Sequence, residues 1–161
     1  MSNTYLIQLQ NQSVAAAAIL LAIRPPTNRP IRITRIKLEY NGTATSTQIR
    51  YQFGTRVSSF ATLTNSVTPV PLDNTAAAAV TVGGTAEAAG TSGSYATTLG
   101  AGTFTVLFEG AFNCLNGLDE FYGDFSELIL PAGSASAFEL RFPATPGVTA
   151  NWTASIYFKE A

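Results

Sequence analysis

Histidine is absent from this chain, and cysteine occurs once, at Cys114. Neither a disulfide framework nor a zinc site of cysteine and histidine ligands can therefore form within one chain. Cys114 lies close to Phe112 and Leu115, which is typical of a buried small hydrophobic residue and not of a nucleophile. We predict that side-chain packing alone stabilises the fold, with no metal and no cofactor.

Lysine is also scarce, occurring only at Lys37 and Lys159, and neither residue completes a Ser-x-x-Lys motif. The sequence has no phosphate-binding loop, no dinucleotide fingerprint and no G-x-S-x-G nucleophile elbow. Hydrolysis without histidine would need carboxylates, another nucleophile or a metal held by oxygen ligands. We therefore expect a protein that is not an enzyme and has no catalytic residues.

One acidic cluster is the exception that has to be considered. Asp119, Glu120, Asp124 and Glu127 occur within a short stretch that also contains three aromatic residues. A calcium loop or a paired-carboxylate glycosidase site would use such groups, but the spacing does not match the EF-hand pattern. We favour a solvated connecting loop here, and a hydrolase that uses these carboxylates is the least favoured function.

Long apolar runs are missing as well. The longest, Val14 to Ile23, is much shorter than the roughly 20 residues that cross a bilayer, and no Lys or Arg precedes it. We therefore expect a soluble protein that is not exported and does not contact a membrane. At 161 residues the chain suits a single domain.

Charged residues make up only 12% of the chain, which leaves a weakly solvated surface suited to coverage by partners. The charges are also segregated. Residues 1–56 carry seven basic and one acidic side chain, a net +6, whereas residues 57–161 carry two basic and nine acidic ones, a net −7. A basic face for nucleic acid is disfavoured, because alternate residues of a strand point to opposite sides. We favour solvated or subunit-pairing roles for the basic residues, and no nucleic-acid partner.

What is present is a series of strand patterns. Residues 31–40 alternate apolar and polar side chains with a slip of phase at Thr34–Arg35, as a β-bulge produces. Asn41-Gly42 then favours a turn, which predicts that 47–54 pairs with 31–40 as a hairpin. Further strands are predicted at 103–112, 127–130, 137–142 and 148–158, the last with Trp152 on its apolar face.

Two segments are ambiguous. Tyr5, Ile7 and Leu9 alternate as in a strand, but the alanine-rich run 14–23 fits a strand or a short helix equally well before Pro25-Pro26 ends it. In residues 83–103, 18 of 21 positions are Gly, Ala, Ser or Thr, a composition that cannot build a core of its own. We predict a long mobile loop there, with an arm that orders against a neighbour as the functional alternative.

The many short strands with turns between them predict an all-β antiparallel β-sandwich, jelly-roll in preference to immunoglobulin-like because no cysteine pair flanks a tryptophan. We divide the chain into an N-terminal arm or strand at 1–24 and one sandwich domain at 25–161, with the small-residue loop at 83–103. Four aromatic residues fall on apolar strand faces and should form the core: Phe104, Phe108, Trp152 and Phe158. Tyr95 lies outside the predicted strands and is the aromatic residue expected to be exposed.

Several phrases resemble small structural proteins of tailed phages. They are Arg24-Pro25-Pro26, RPIRITRIKLEYNGTATSTQIRYQFG at 29–54, VTPVPLD at 67–73, LPAG at 130–133 and YFKE at 157–160. The resemblance implies a jelly-roll capsid decoration, or cement, protein. Such a protein is a homotrimer on the outside of the capsid that reinforces capsomer junctions, has the major capsid protein as its partner, and is made in the host cytoplasm.

The residues expected to contact a neighbouring subunit or the capsid lie in the N-terminal segment, in the basic strand that follows and in the small-residue loop. They are Tyr5, Ile7, Leu9, Arg24, Arg29, Arg32, Arg35 and Tyr95. The alternative function is the carbohydrate- or receptor-binding head of a phage fibre or spike, with exposed aromatic residues in its loops. An ordinary shell or scaffold component is a third alternative.

Overall fold

A computed structural model describes residues 3–43, 46–73, 77–123, 128–148 and 150–161 of the chain. Within these ranges every regular element is a β-strand. The strands are β1 (Thr4–Val14), β2 (Ala18–Ile23), β3 (Ile31–Asn41), β4 (Gln48–Val57), β5 (Asn65–Ser66), β6 (Val70–Pro71), β7 (Val82–Gly83), β8 (Thr91–Ala96), β9 (Thr103–Asn113), β10 (Leu118–Phe121), β11 (Leu128–Leu130), β12 (Ser136–Phe142) and β13 (Ala150–Glu160).

The strands form two sheets that pack face to face as a sandwich. Sheet A has the order β10-β3-β13-β1-β6, and β11 also pairs with β3. Sheet B has the order β5-β8-β2-β12-β4-β9, and the short β7 lies parallel to β8. The long ladders in both sheets are antiparallel. The all-β antiparallel sandwich predicted from the strand patterns is therefore confirmed, whereas jelly-roll connectivity stays a prediction.

The core lies between the two sheets and is built from the alternating apolar residues of the long strands. The largest of its fully buried side chains are Trp152, Phe138, Phe142 and Phe158. Trp152 contacts aromatic rings from both sheets, with centroid distances of 5.1 Å to Tyr40 and 5.0 Å to Phe142. Burying each such side chain contributes roughly 1.5–3 kcal/mol to the free energy of unfolding. Cys114 is buried in the same core, as predicted.

Strand β3 contains the bulge that its sequence predicts. Its register with β13 shifts between the pairs Tyr157↔Arg35 and Phe158↔Ile33, so that Thr34 is the extra residue. The bulge lets Ile31 and Ile33 face the core on one side of Thr34 and Ile36 and Leu38 on the other. The polar residues of β3 consequently point to the outer face of sheet A.

The predicted hairpin between 31–40 and 47–54 is wrong. Strand β3 belongs to sheet A, whereas β4 belongs to sheet B and pairs with β12 and β9. The connection after Asn41 crosses from one sheet to the other. Alternation of apolar residues specifies which face of a strand is buried, but it does not specify the neighbouring strand.

The N-terminal segment, for which an arm or a strand was expected, forms two strands of the sandwich. Residues 4–14 form β1, which pairs with β13 along nearly its whole length, and residues 18–23 form β2 inside sheet B. The ambiguity between strand and helix for 14–23 is thus settled in favour of a strand. The apolar side chains of both strands are needed by the core, which holds this segment inside the sandwich.

The small-residue segment 83–103 also differs from expectation, since it contributes β8 to sheet B between β2 and β5. Its small side chains allow close approach of the backbone. A Cβ atom at Gly93 would clash with the Gly84 carbonyl oxygen and lie 2.7 Å from Leu63. Segments 58–63 and 96–102 cover the outer face of sheet B here and form a second, smaller cluster with Ile19 and Ala22.

Candidate interaction surfaces

The predicted interface residues of the N-terminal segment are inside the sandwich. Tyr5, Ile7 and Leu9 are 4%, 0% and 3% exposed. Tyr5 also donates a hydrogen bond from its hydroxyl group to the Ala77 carbonyl oxygen at 3.1 Å. A partner cannot reach these three side chains in the folded chain, so we assign them to the core and not to an interface.

Arg24 and Tyr95 have structural surroundings too. The Arg24 guanidinium donates to the carbonyl oxygens of Ser134 at 3.1 Å and Glu87 at 3.4 Å, and it lies over the Phe60 ring at 5.0 Å. It therefore ties three loops together. Tyr95 is half-buried against the main core at a positive φ of 61°, which corrects the expectation of an exposed loop aromatic. The strand that contains Tyr95 was not predicted, because the small residues around Tyr95 give no alternation of apolar and polar side chains.

Arg32 and Arg35 are brought together on the outer face of sheet A, while Arg29 is exposed in the preceding turn. In cross-strand register, Ile129, Arg32 and Lys159 form one row, and Phe121, Arg35 and Tyr157 form the next. Paired residues of antiparallel strands point to the same side of the sheet. The result is a group of cations bordered by apolar side chains, which we call the basic saddle: Thr4, Arg32, Thr34, Arg35, Leu72, Phe121, Ile129, Tyr157 and Lys159.

Arg35 is held firmly within the basic saddle. Its guanidinium donates two hydrogen bonds to the Asp119 carboxylate, at 2.7 and 2.6 Å, in the bidentate geometry. It also stacks over the Phe121 ring at 4.2 Å and lies 5.2 Å from the Tyr157 ring. The hydrogen bonds raise the pKa of Arg35 and lower the pKa of Asp119. Both groups remain charged, and the guanidinium lies against one face of the Phe121 ring, although Phe121 is 69% exposed.

The floor of the basic saddle is a shallow cavity of about 340 Å³. Phe121 and Tyr122 form one wall and Leu72 the other, with Arg35, Tyr157 and Lys159 beneath them. Leu72 is positioned by its backbone N–H, which donates to the Thr4 carbonyl oxygen at 2.9 Å. Ile129 adds a further exposed apolar side chain beside Arg32.

A second candidate surface is the free edge of sheet B, formed by the eleven residues of β9. Strand β9 pairs with β4 on one side, and no strand of the described chain pairs with its other side. Val106, Leu107 and Phe108 are 44%, 50% and 44% exposed along it. The expectation that Phe108 belongs to the core is therefore corrected, although its ring stacks on Phe53 at 5.4 Å.

The acidic cluster singled out from the sequence does not form one site. Asp119 and Glu120 are neighbours on β10 and face opposite sides of sheet A. Asp119 pairs with Arg35 outside, whereas Glu120 accepts hydrogen bonds from the hydroxyl groups of Tyr51 and Tyr122 inside. Burial and these bonds raise the pKa of both tyrosines. Asp124 and Glu127 lie outside the described residues.

Sequence reasoning missed a buried group of charges on the outer side of sheet B. Arg56 donates to both carboxylate oxygens of Glu139 and to the carbonyl oxygens of Gly100 and Gly102 at 2.6 and 2.7 Å. Glu87 is buried beside this pair, and neither of its carboxylate oxygens accepts a well-formed hydrogen bond. No sequence motif predicts such a group, because its members are far apart in the chain.

The ionisation of Glu87 is strongly perturbed. Burial, followed by the charge of Glu139, raises its pKa to about 8, against smaller opposing effects of Arg56 and the Ala61 backbone. Arg141 approaches the same group, and burial lowers its pKa. A pKa of this value leaves Glu87 mostly protonated at neutral pH. Glu87 is thus a buried carboxyl group that lies close to the ion pair of Arg56 and Glu139.

A polar cleft of about 610 Å³ lies at the opposite edge of sheet A, between β1 and the 65–70 segment. It is lined by side-chain amides and hydroxyl groups, including those of Gln8, Gln10, Gln12 and Asn65. Gln10 donates to the Gln8 side-chain oxygen at 2.7 Å, and Gln8 donates to the Ser155 hydroxyl group at 3.0 Å. Neutral hydrogen-bonding groups of this kind suit a neutral polar ligand.

In the ranges that the structure describes, no group of three or more Asp, Glu, Cys or His side chains is placed to hold a metal ion. The same ranges contain no helix long and apolar enough to cross a membrane. A scan of family models, a search of curated proteins and a search of solved structures each find no match to this chain. The fold and its surfaces define the class: an antiparallel β-sandwich. The outer face of its sheet A carries basic side chains beside exposed apolar ones, and β9 of sheet B has no partner on one side among the described strands.

Proposed function

We propose that this protein is a virion structural protein, a trimer that decorates the outside of a tailed-phage capsid and reinforces its capsomer junctions. The protein is then made in the host cytoplasm and binds to the capsid exterior. It assigns no catalysis to the chain. The observation that carries the proposal is the β9 edge.

Strand β9 has a β-bulge at Leu107 in its pairing with β4, but it lacks the other features that usually protect an edge strand. Its eleven residues include no proline and no lysine, and Glu109 is its one charged residue. Glu109 is moreover engaged by Arg50 and Gln52 of the neighbouring strand. An apolar edge with unpaired N–H and C=O groups is a template for pairing with another chain. A protein that works as an assembled ring of copies has such a template covered.

The strand order is compatible with the jelly-roll part of the proposal. Strands β1, β13, β3 and β10 are neighbours in sheet A, and β2, β12, β4 and β9 are neighbours in sheet B. The chain crosses between the sheets from β1 to β2, from β3 to β4, from β9 to β10 and from β12 to β13. Two Greek keys folded together are expected to give this arrangement.

Light scattering of the purified protein tests the assembly part of the proposal. We expect a trimer, and we expect Leu107→Lys to shift it towards the monomer because a charge at the edge opposes pairing. Val82→Lys is the matched control, since Val82 is equally exposed but lies on the short β7 of the same sheet. A wild-type monomer, or a trimer that Leu107→Lys leaves intact, would contradict the role given to β9.

Sedimentation with empty heads of the phage that encodes the chain tests the partner. We expect the protein to co-sediment in a fixed ratio to the major capsid protein, with an apparent affinity raised by the three linked contacts of each trimer. Heads that sediment without it would remove the decoration role.

A carbohydrate- or receptor-binding head of a fibre or spike is the second candidate function. The amide-lined cleft beside β1 favours it, because Gln8, Gln10 and Asn65 offer donors and acceptors suited to sugar hydroxyl groups. A glycan array followed by a Gln10→Ala variant would test it. Binding of a neutral glycan that the variant loses, together with no binding to heads, would transfer the assignment to this function.

A further inference from the structure

We infer that residues 84–90 form a latch on the outer side of sheet B, and that opening of this latch is coupled to the loss of the Glu87 proton. The coupling goes beyond the proposed function and holds whether or not the protein binds a capsid. Three features carry it: a loop that lies outside the strand ladders, a single buried side chain that anchors this loop, and the charges around that anchor.

The latch is separate from the strands that hold the sandwich together. Strand β7 ends at Gly83 and β8 begins at Thr91, so residues 84–90 belong to neither strand. The far end of the latch is Gly90, which has a positive φ of 71° and packs against Pro26. Residues 85–89 can therefore lift away while β8 stays paired with β2 and β5.

Glu87 anchors the latch through its side chain. Thr85, Ala86, Ala88 and Ala89 are exposed, whereas Glu87 is 2% exposed. Its φ of 47° lies in a region that side chains other than glycine rarely adopt, and opening relieves this strain. Neither of its carboxylate oxygens accepts a well-formed hydrogen bond, so the closed latch does little to stabilise a charge at this position.

Backbone hydrogen bonds hold the rest of the latch. The Leu63 N–H group donates to the Thr85 carbonyl oxygen at 2.8 Å, and the Gly90 N–H group donates to the carbonyl oxygens of Arg24 and Pro25, both at 3.1 Å. The Arg24 guanidinium donates to the Glu87 carbonyl oxygen at 3.4 Å. None of these groups changes its charge between about pH 5 and about pH 8. The pH dependence of opening is therefore expected to come from the Glu87 side chain.

The charged side chains around Glu87 come from three parts of the fold. They are Glu139 and Arg141 of β12, Arg56 of β4 and Arg24 after β2. Segments 58–63 and 96–102, which cover this side of the sheet, contain no charged residue. Glu139 is the negative group among these neighbours, and its charge opposes ionisation of Glu87.

The three arginines already have other partners. Arg56 donates to Glu139 and to two backbone carbonyl oxygens. Arg141 donates to the Gln52 side-chain oxygen at 3.1 and 2.9 Å and lies over the Phe104 ring at 3.4 Å. Arg24 donates to carbonyl oxygens alone. A carboxylate at Glu87 consequently gains little from them in the closed latch.

Ionisation therefore favours the open latch. In the closed latch, burial and the charge of Glu139 raise the pKa of Glu87 to about 8, whereas an exposed glutamate has a pKa of 4.5. The open latch binds fewer protons between these values. Its population should rise about tenfold per pH unit from about pH 5 to about pH 8 and then level off.

Amide hydrogen exchange of the whole protein, followed by NMR, detects such openings while they are still rare. The Leu63 and Gly90 amides report on the latch, and the Ile156 amide in the centre of sheet A reports on global unfolding. We expect protection of the latch amides, relative to the free-peptide rate at each pH, to fall about tenfold per unit between pH 6 and pH 8. Their protection should also be at least about tenfold below that of Ile156 and independent of urea at low concentration.

Two outcomes of this experiment would overturn the latch. The first is protection of Leu63 and Gly90 that does not change with pH. The second is protection equal to that of Ile156 with the same dependence on urea, because Glu87 would then be released only when the whole chain unfolds.

Variants identify the titrating group. Glu87→Gln, and Glu87→Met as a second uncharged side chain of similar length, should make the protection of Leu63 and Gly90 independent of pH. Glu39→Gln, at an exposed glutamate of sheet A, is the matched control and should keep the wild-type slope. A slope that persists in both Glu87 variants, or that disappears in Glu39→Gln, would assign the titration to another group and overturn the inference.

Discussion

The buried carboxyl group of Glu87 makes the stability of this protein depend on pH in a range where few groups titrate. The Glu87 side chain is 2% exposed, and its pKa is raised from 4.5 to about 8. In the unfolded chain it releases its proton near pH 4.5, whereas in the folded chain it keeps the proton up to about pH 8. The unfolded state therefore binds fewer protons between these values, and stability falls as pH rises through them.

The size of the effect follows from this displacement of the pKa. The free energy of unfolding should fall by up to about 1.4 kcal/mol per pH unit, and by roughly 3–4 kcal/mol in total between about pH 5 and about pH 8. The sequence contains no histidine, which leaves this range largely free of other side-chain titrations. The lowered pKa of Asp119 and of Glu109 acts at lower pH, where stability is lost as those carboxylates become protonated.

Glu87→Gln removes the titration while keeping the size of the side chain. Urea unfolding at fixed protein concentration, followed by the fluorescence of the single Trp152, should give equal stabilities for the two proteins near pH 5. Near pH 8 the variant should be more stable by roughly 3 kcal/mol. Glu39→Gln, at an exposed glutamate, should keep the wild-type slope. A wild-type stability that is flat or rising over this range, or a variant with the same slope, would refute the reasoning.

Three other variants or probes test the fold. Arg56→Ala strands the buried Glu139 carboxylate and should lower the free energy of unfolding by about 3–5 kcal/mol, measured by urea titration; a cost below about 1 kcal/mol would argue against the buried pair. Trp152→Ala leaves a cavity in the core and should cost about 3–5 kcal/mol, followed by circular dichroism, with Trp152→Phe costing clearly less. Cys114 should react with a thiol reagent only at the rate of unfolding, and fast reaction in the native protein would contradict its burial.

Alternation of apolar and polar residues predicted the strands in which one face is buried and the other is more exposed. Strand β13, with Trp152 and Phe158 on its buried face, and β3, with its bulge at Thr34, follow from the alternation of residues alone. Strand β8 could not be predicted in this way. Its residues are small, and its position depends on close backbone contacts such as that of Gly93 with Gly84. Contacts between distant segments leave no periodic signal in the sequence.

The candidate surfaces were predictable to a smaller extent. Arg32 and Arg35 were expected on an interface, which stays a prediction, and both lie on the outer face of sheet A. Phe121 was not singled out, although its place beside Arg35 is what makes the saddle a candidate site. Phe121 meets Arg35 because β10 pairs with β3, and the paired residues Arg35 and Asp119 are 84 positions apart in the chain.

The position of β13 also has a consequence for how the chain folds during synthesis. It is the last of the described strands in chain order, yet it lies between β3 and β1 and pairs with both. Until residues 150–160 have left the ribosome, β1 and β3 have no strand to join them, and the inner face of sheet B has only part of its cover. Assembly of sheet A is therefore completed after translation of these residues, through contacts that close the longest loops in the chain, and folding should be slow for a domain of this size.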